Sequence, residues 1–364
     1  MTRPIQARID LSALESNLHV ARRAAPSTRV MSVIKANGYG HGLLRVAEAL
    51  AETDGYALLD IQDAVQLREA GFRQTILLLE GFFDAEELPL IAEYDLTSVI
   101  HNAEQIALLD AYPGNRTPGS RKLDVWLKVN SGMNRLGFAP QQVAQAMEQL
   151  RRHRAVRDIT LMTHFANADE ARGVEQPLDL FNQVAADHRV ARSLANSAAL
   201  LRYPATHGDW VRPGIMLYGA SPFPPSDEQR FSAQQLGLRP AMTLSSRIIA
   251  TQQLRAGDEV GYGASFRAGH AMCVGIVACG YADGYPRHAP NGTPILVDGQ
   301  RSHTVGRVSM DMLYVDLSAV PQADVGSRVV LWGEGLPVEE VAHAAGTVSY
   351  ELLCALGRRV PVVT

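Results

Sequence analysis

A chain of 364 residues is long for one hydrophobic core, so its length predicts two domains. With 34 basic and 38 acidic residues the formal net charge is -4, which gives no electrostatic reason to expect nucleic acid or an anionic membrane as a partner. No apolar run could span a bilayer, the N-terminus lacks a signal-peptide core, and the three cysteines (Cys273, Cys279 and Cys354) form no Cys-x-x-Cys pair. These features predict a cytoplasmic protein with reduced thiols.

The first two-thirds of the chain alternates between predicted strands and predicted helices. Strands are predicted to begin near Val30, Tyr56, Ile76, Thr97, Val125, Thr160, Val190 and Trp210. A helix is predicted before the first of them, at residues 11–21, and others at residues 61–70, 85–93, 103–109, 141–151 and 176–188. Eight strands with helical crossovers favour a closed parallel (β/α)8 barrel over an open sheet.

The pattern changes at the proline-rich residues 221–226, which predict a linker. Strands are then predicted at residues 243–250, 272–278, 294–297, 312–317 and 328–332, with a hairpin turn at Asp298–Gly299. Two short helices are predicted at residues 338–345 and 350–356. We therefore expect an α/β chain with the barrel at residues 1–225 and a mostly antiparallel β domain at residues 226–364. The extreme N-terminus is able to pack on the β domain instead of on the barrel.

Residues 30–42 are the most informative segment. A buried β-branched run ends at Lys35, and glycines at positions 38, 40 and 42 surround Tyr39 before a helical pattern begins. The carboxyl ends of barrel strands carry functional groups, and a poorly solvated lysine there is suited to be a Schiff-base nucleophile. The glycines are expected to let the backbone approach a ligand closely. A lysine beyond a strand is, taken alone, more often simply solvated, and the residues around Lys35 are what favour a functional interpretation.

Further polar residues follow later predicted strands. Lys128 and His164 end two of them, Asn196 and Ser197 precede a short helix at residues 198–201, and Arg212 ends the eighth strand. Individually, they have ordinary structural interpretations, such as a core histidine, a helix N-cap or an ion-pair partner. Together, a lysine, an anion-binding turn and polar groups at one barrel mouth indicate a phosphorylated aldehyde cofactor, pyridoxal 5'-phosphate.

Several motifs resemble those of alanine racemases, and the resemblance covers essentially the whole chain. Residues 33–42, Val-Ile-Lys-Ala-Asn-Gly-Tyr-Gly-His-Gly, are similar to the cofactor-lysine signature of that family, although Gly38 stands where alanine is usual. Further matches are residues 127–137, 163–166, 196–197, 211–215, 260–266, 280–284, 306–311 and 350–351. The resemblance implies an isomerase that interconverts L-alanine and D-alanine by two-base proton transfer at the Cα of a substrate joined to pyridoxal phosphate, with no metal ion.

The resemblance also implies the two bases. Lys35 would hold the cofactor and act on one face of the Cα, while Tyr262 would act on the opposite face. A phenol of ordinary pKa costs about 4 kcal/mol to ionise at neutral pH, so Tyr262 needs a nearby cation. The family supplies Arg135, held by Lys128, a lysine that is often carbamylated.

The remaining roles concern the cofactor and the substrate. Arg212 would face the pyridine nitrogen, and His164 would pack against the ring and support Arg212. The resemblance implies phosphate ligands at Tyr39, Ser197, Gly214, Ile215 and Tyr350. Arg135 and the backbone of Met310 would bind the substrate. The corridor through which substrate enters would be lined by Tyr281, Asp169 and Arg287.

The family resemblance implies a homodimer in which the β domain of one subunit completes the barrel site of the other. A D-alanine supply for peptidoglycan precursors is implied as well, but the same residues would serve D-alanine breakdown. Alternatives are a broader-specificity amino-acid racemase, a related barrel decarboxylase acting on basic amino acids, and a non-catalytic cofactor carrier. The long second domain argues against the carrier, and the Gly-Tyr-Gly setting of Tyr262 argues against the decarboxylase.

Overall fold

The computed structural model of the protein describes residues 3–112, 121–224 and 231–364. The described residues form a closed barrel of parallel strands and a separate, mostly antiparallel 8-stranded sheet, which confirms the predicted fold class. The boundary predicted between residues 225 and 226 lies outside the described part. No described helix is both long and apolar enough to cross a lipid bilayer.

The eight barrel strands begin close to the positions predicted for them. Strand β1 (Gln6–Ile9) precedes the barrel, whose strands are β2 (Arg29–Val33), β3 (Gly55–Leu58), β4 (Thr75–Leu78), β5 (Thr97–Ile100), β6 (Leu123–Lys128), β7 (Val156–Met162), β8 (Ala191–Ser193) and β9 (Trp210–Val211). Strand β2 pairs in parallel with both β3 and β9, which closes the barrel. All eight carboxyl ends therefore open on one face.

Most helical segments cover the outside of the barrel, and a single turn after β2 lies at its mouth. They are α1 (Leu11–Ala24), the single turn α2 (Lys35–Tyr39), α3 (Leu43–Ala49), α4 (Ile61–Glu69), α5 (Leu88–Glu93), α6 (Ala103–Leu108), α7 (Pro140–Arg152), α8 (Glu175–Ala185) and α9 (Ser197–Arg202). Short polar residues mark several starts: Asp10, Asp60 and Asn102 each accept a hydrogen bond from a backbone N–H in the first turn. Such caps satisfy amides that have no partner within the helix.

The second unit is built on one long strand, β10 (Met242–Leu254), which pairs with three others. The remaining strands are β11 (Glu259–Val260), β12 (Phe266–Arg267), β13 (Met272–Val277), β14 (Pro294–Val297), β15 (Gln300–Val305), β16 (Leu313–Asp316), β17 (Arg328–Trp332) and β18 (Val362–Val363). The predicted hairpin is confirmed, because Asp298 and Gly299 both have positive φ between paired β14 and β15. The sequence prediction omitted the short ribbon of β11 and β12.

Both chain ends join this sheet. Strand β1 pairs antiparallel with β10 and parallel with β18. Helices α10 (Val338–Ala344) and α11 (Ser349–Cys354) close the unit. A Cβ on Gly40 would collide with the carbonyl oxygen of Leu353, so α11 lies directly against the α2 turn. The hydrophobic core is continuous from the barrel, at Tyr56, to the sheet, at Trp332.

Candidate active site

The segment after β2 is a left-handed turn. Ala36, Asn37, Gly38 and Tyr39 all have φ between 49° and 60°. Three of these four residues carry a Cβ, for which this conformation is unfavourable. The turn is nevertheless regular, because the Gly38 N–H donates to the Ile34 carbonyl and the Gly40 N–H to the Ala36 carbonyl. Lys35 therefore lies at the start of a strained turn, which is typical of functional sites.

Side chains beneath the turn hold it in place. His41 is fully buried, and its Nδ1 lies 2.8 Å from the Tyr39 carbonyl oxygen and 3.1 Å from that of Gly38. Both partners are acceptors, so Nδ1 carries the proton, and burial lowers the pKa of His41 to about 4. The amide oxygen of Asn37 accepts from the Leu43 N–H at 2.9 Å.

The three glycines that are expected to let the backbone approach a ligand also lie against protein atoms. A Cβ on Gly40 would meet the Leu353 backbone, one on Gly38 would lie 2.7 Å from Val46, and one on Gly42 would lie 2.6 Å from Arg45. Their φ values lie between 60° and 98°. The glycines are therefore required by the backbone conformation and by packing against protein atoms.

A cavity of about 750 Å³ opens at the carboxyl ends of the barrel strands. Its lining includes nine residues that the sequence singled out: Lys35, Tyr39, Lys128, Arg135, His164, Ser197, Arg212, Gly214 and Tyr350. Residues separated by more than 300 positions thus meet in one space. Ile215 is fully buried beside Gly214, where a short 3-10 helix begins.

The cavity is strongly cationic. Burial and the charge of Arg135 lower the pKa of Lys35. Burial, followed by Arg212 and Arg135, lowers the pKa of Lys128 to about 8. Desolvation, followed by the charges of Arg212 and Lys128, holds the pKa of His164 well below its ordinary value. A neutral imidazole can accept a proton, and a lysine that is easily deprotonated can accept a proton or attack a carbonyl group.

Arg212 is rigidly held. Its side chain is 4% exposed and donates to the hydroxyl of Ser193 at 2.6 Å and to the carbonyl oxygens of Thr163 and Leu194 at 2.6 and 3.2 Å. Burial lowers its pKa to about 10, so the guanidinium stays charged at neutral pH. The charge of Arg212 lowers the pKa of His164, but the hydrogen bonds of Arg212 go to Ser193, Thr163 and Leu194.

Hydroxyl groups cluster where β8 and β9 end. The Ser197 hydroxyl accepts from the Gly214 N–H at 2.8 Å, so its own proton can be donated to an anion. A Cβ on Gly214 would lie 2.9 Å from the Tyr39 hydroxyl oxygen. The Tyr39 ring stacks on Tyr218 with centroids 4.5 Å apart and lies 5.9 Å from the Tyr350 ring. The N-cap of α9 is Asn196, which accepts from the Ala199 N–H, so the capping interpretation of Ser197 is wrong.

These groups fit a phosphorylated aldehyde. Hydroxyl donors and the first N–H of a 3-10 helix can bind phosphate, while Lys35 supplies an amine for the aldehyde. Arg212 supplies a fixed cation in the same cavity. Among the described residues that line the cavity, Glu80 is the one acidic side chain. An anionic cofactor would therefore offset charge that the cavity does not balance by itself.

Glu80 is a lining residue that the sequence reasoning missed, and its charge opposes the fall in the pKa of Lys35 and Lys128. It stands two residues beyond β4, and His101 stands directly beyond β5, so the strand-end rule applied to Lys35 would have found both. Cys354 also lines the cavity, and burial raises the pKa of its thiol.

Tyr350 is the one residue expected from the second domain that lines this cavity, and the others lie outside it. Tyr262, between β11 and β12, is 71% exposed, and Met310 is 52% exposed. Tyr281 and Arg287 are exposed on the same domain, and Asp169 is half-buried in the loop after β7. Within one chain, therefore, the cofactor-binding candidates of the barrel and Tyr350 are brought together, whereas Tyr262, Met310 and the expected corridor residues are not.

Comparison with known proteins covers both units. Residues 9–222 match the family model of the alanine racemase N-terminal domain, and residues 241–364 match that of the C-terminal domain. The chain belongs to the alanine racemase family. The alanine racemase of Nitrosospira multiformis is 60% identical over 367 residues, covering 100% of both chains.

Solved structures of alanine racemases agree with this assignment. The biosynthetic alanine racemase of Pseudomonas aeruginosa aligns with a TM-score of 0.94 at 47% identity, covering 99% of both chains. A structure of alanine racemase from Bartonella henselae with covalently bound pyridoxal phosphate aligns with a TM-score of 0.87 at 24% identity, covering 99% of both chains. The last likeness shows the shared fold.

Proposed function

We propose that the chain interconverts L-alanine and D-alanine with pyridoxal 5'-phosphate as its cofactor. The observation that carries the proposal is one cavity in which Lys35, Arg212 and the Ser197–Gly214 pair lie together. Full-length identity of 60% to an alanine racemase supports the reaction, and the donor groups of the cavity support the cofactor. When bound, pyridoxal phosphate supplies an electron sink that makes the Cα proton of the substrate acidic.

Lys35 would hold the aldehyde group and then act as a base. The lowered pKa of Lys35 favours the neutral amine, which is the form that bonds to a carbonyl and accepts a proton. Its place at the start of the strained turn keeps the amine at the cavity wall. Tyr39, Ser197, Gly214, Ile215 and Tyr350 would bind the phosphate.

Arg212 and His164 would control the cofactor ring. A guanidinium held by three acceptors stays charged, so the ring nitrogen facing it would remain unprotonated. A weaker electron sink disfavours side reactions such as transamination. His164, neutral in this setting, would pack against the ring without adding charge.

Tyr262 would be the second base, on the other face of the Cα, with Arg135 as the cation that helps it to ionise. Lys128, with a pKa of about 8, has a neutral fraction that can be carbamylated, and the modified side chain would hold Arg135. The backbone of Met310 would bind the substrate carboxylate together with Arg135. Tyr281, Asp169 and Arg287 would line the corridor to the site.

A head-to-tail homodimer would bring these groups together. Tyr262 is 71% exposed and Met310 is 52% exposed, yet both are required at a barrel cavity that neither lines. A second copy that docks this face over the barrel mouth would complete two equivalent sites. Because a racemase works in both directions, the same site serves D-alanine supply for peptidoglycan precursors and D-alanine breakdown.

Proton exchange in deuterated water tests the reaction and its alternatives. The protein is incubated with each L-amino acid, and Cα exchange, inversion and carbon dioxide release are followed. Exchange with inversion confined to alanine supports the proposal, and inversion of many amino acids indicates a broader-specificity racemase. Carbon dioxide from basic amino acids would indicate a decarboxylase, and no reaction with bound cofactor would indicate a carrier.

A further inference from the structure

Two neighbouring loops of the second domain carry residues proposed to act on the substrate. Tyr281 lies on the loop after β13, and Met310 lies on the loop before β16. The loops are joined by backbone hydrogen bonds, from the Tyr281 N–H to Ser309 and from the Ala282 N–H to Met310, each 3.0 Å long. Whatever holds one loop therefore holds the other.

A buried carboxylate lies beneath these loops. Asp283 is 0% exposed, and its side chain accepts from the Gly280 N–H at 2.9 Å. It also accepts from Arg359 Nε at 2.7 Å and from Arg3 Nη2 at 3.2 Å. A buried carboxylate needs such partners, since an uncompensated charge in the interior is costly.

The same two arginines bind the second loop. Arg359 Nη2 lies 2.7 Å from Asp311 Oδ1 and donates to the Met310 carbonyl oxygen at 3.3 Å. Arg3 donates to the Asp311 carboxylate at 3.2 Å and to its backbone carbonyl oxygen at 2.7 Å. Hydrogen bonds from Arg359, and secondarily the positive charge of both arginines, lower the pKa of Asp311 and keep it ionised.

The arginines come from opposite ends of the chain. Arg3 precedes β1 and Arg359 precedes β18, and these strands pair in parallel with Ala7 opposite Val362. Both chain ends thus deliver a guanidinium to one place. Ion pairs at a solvated surface contribute little to stability, but four that join two arginines to the buried Asp283 and to Asp311 form a network with fixed geometry.

We propose that Arg3 and Arg359 form a clamp that positions the Met310 backbone and Tyr281, and thereby determines the affinity for the substrate carboxylate. This inference rests on the proposed function, in which the backbone of Met310 binds that carboxylate. Arg3 and Arg359 are positioning residues and do not themselves touch the substrate. Arg359 has the larger part, because it contacts Asp283, Asp311 and Met310 directly.

The test compares Arg359→Gln, Arg359→Lys and Arg301→Gln in the holoenzyme. Arg301 is the matched control, since it forms a two-bond ion pair with Glu340 on the same domain but contacts neither loop. We expect Arg359→Gln to raise KM for alanine about tenfold with kcat changed less than about twofold, because ground-state and transition-state binding weaken together. Arg359→Lys should restore part of the affinity, and Arg301→Gln should behave like the parent.

A readout without turnover comes from amide hydrogen exchange. Residues 280–284 and 309–312 should exchange faster in Arg359→Gln, while the barrel strands stay protected. If Arg359→Gln does not fold, Asp311→Asn removes the ion pairs of both arginines with the second loop at a residue that is 44% exposed, and it leaves the buried Asp283 paired.

The two proposals fail in distinguishable ways. A parent protein that does not racemise alanine overturns the proposed function. A parent that racemises, with unchanged KM in Arg359→Gln, overturns the clamp. Reduced kcat with unchanged KM, or equal changes in Arg301→Gln, also overturns it, since both outcomes indicate general destabilisation.

Discussion

The barrel mouth and the loop face of the β domain present functional residues in opposite ways. At the barrel mouth, Lys128 is 8% and Arg212 is 4% exposed, and Tyr39 is stacked between rings. On the loop face, Tyr262 and Met310 are 71% and 52% exposed. The barrel therefore holds a preformed half of the site within one chain.

The contrast explains what a second copy would supply. Large side chains exposed on short loops are typical of surfaces that bind another protein. The buried cationic cavity of the barrel, in contrast, is completed by an anionic cofactor and by a cover that excludes water. Substitutions confined to the barrel mouth or to the loop face test the two halves separately, and the largest effect is expected at the barrel mouth.

Replacing the amine of the barrel half should abolish activity. Lys35→Ala removes both the cofactor attachment and one base, so racemisation should fall by at least about 10⁴-fold in both directions. The visible absorbance of the bound cofactor should be lost as well. Lys122→Ala, at an exposed lysine just before β6, is the control. A cofactor linkage still reducible by borohydride in Lys35→Ala would refute the assignment.

Replacing the phenol of the exposed half should leave half of the chemistry intact. Tyr262→Phe deletes only a hydroxyl, and the loss of one acid–base group should lower racemisation about 10²–10⁴-fold. Lys35 should still exchange deuterium into the enantiomer whose Cα proton faces it, D-alanine according to the family resemblance. Tyr94→Phe on the barrel exterior is the control. Equal exchange of both enantiomers would contradict the two-face arrangement.

Mixing the two inactive chains tests whether the halves belong to different subunits. Random pairing of Lys35→Ala with Tyr262→Phe chains gives one intact site in half of the dimers, so activity should recover to about a quarter of the parent value. Subunit exchange is verified by mass spectrometry of tagged chains. No recovery after verified exchange would mean that each site is built within one chain.

The anion-binding corner should respond to added negative charge. Ser197→Asp places a carboxylate where phosphate is proposed to bind, so cofactor affinity should fall about tenfold or more. Titration of the apo-protein with pyridoxal phosphate gives the dissociation constant. Ser318→Asp, at an exposed serine beyond β16, should leave it unchanged. If Ser197→Asp binds pyridoxal phosphate with the same dissociation constant as the parent, the phosphate binds somewhere other than at Ser197.

Lys128 predicts a pH dependence of stability in the apo-protein. Its folded pKa, about 8, is below the ordinary 10.5, so the charged form destabilises the fold. The penalty is full below pH 8 and disappears as pH rises toward 10.5. Lys128→Met should therefore be more stable than the parent at pH 7, and the difference should shrink by about 1 kcal/mol by pH 9. A difference that is constant with pH, measured by urea unfolding, would refute the lowered pKa.

The sequence predicted the barrel because its signals are local. Each β-branched run is an interior strand, and each polar residue that follows one is carried to the open face, as Lys35, Lys128 and Arg212 are. The same rule was applied incompletely, since Glu80 also follows a strand. The assignment of Ser197 as an N-cap failed because two adjacent residues, Asn196 and Ser197, are both capable of capping.

By itself the sequence determined the order of the strands, the hairpin at Asp298–Gly299 and the position of Lys35 just beyond β2. Only the tertiary structure decided the left-handed turn after Lys35, since Ala36 and Asn37 have no local preference strong enough to impose it. The turn is held by His41 and by α11, from the far end of the chain. Likewise, Arg3 and Arg359 are ordinary terminal arginines until β1 and β18 pair and bring them to Asp283. Local periodicity specifies elements, whereas contacts between distant residues specify where charges and strained backbone are stable.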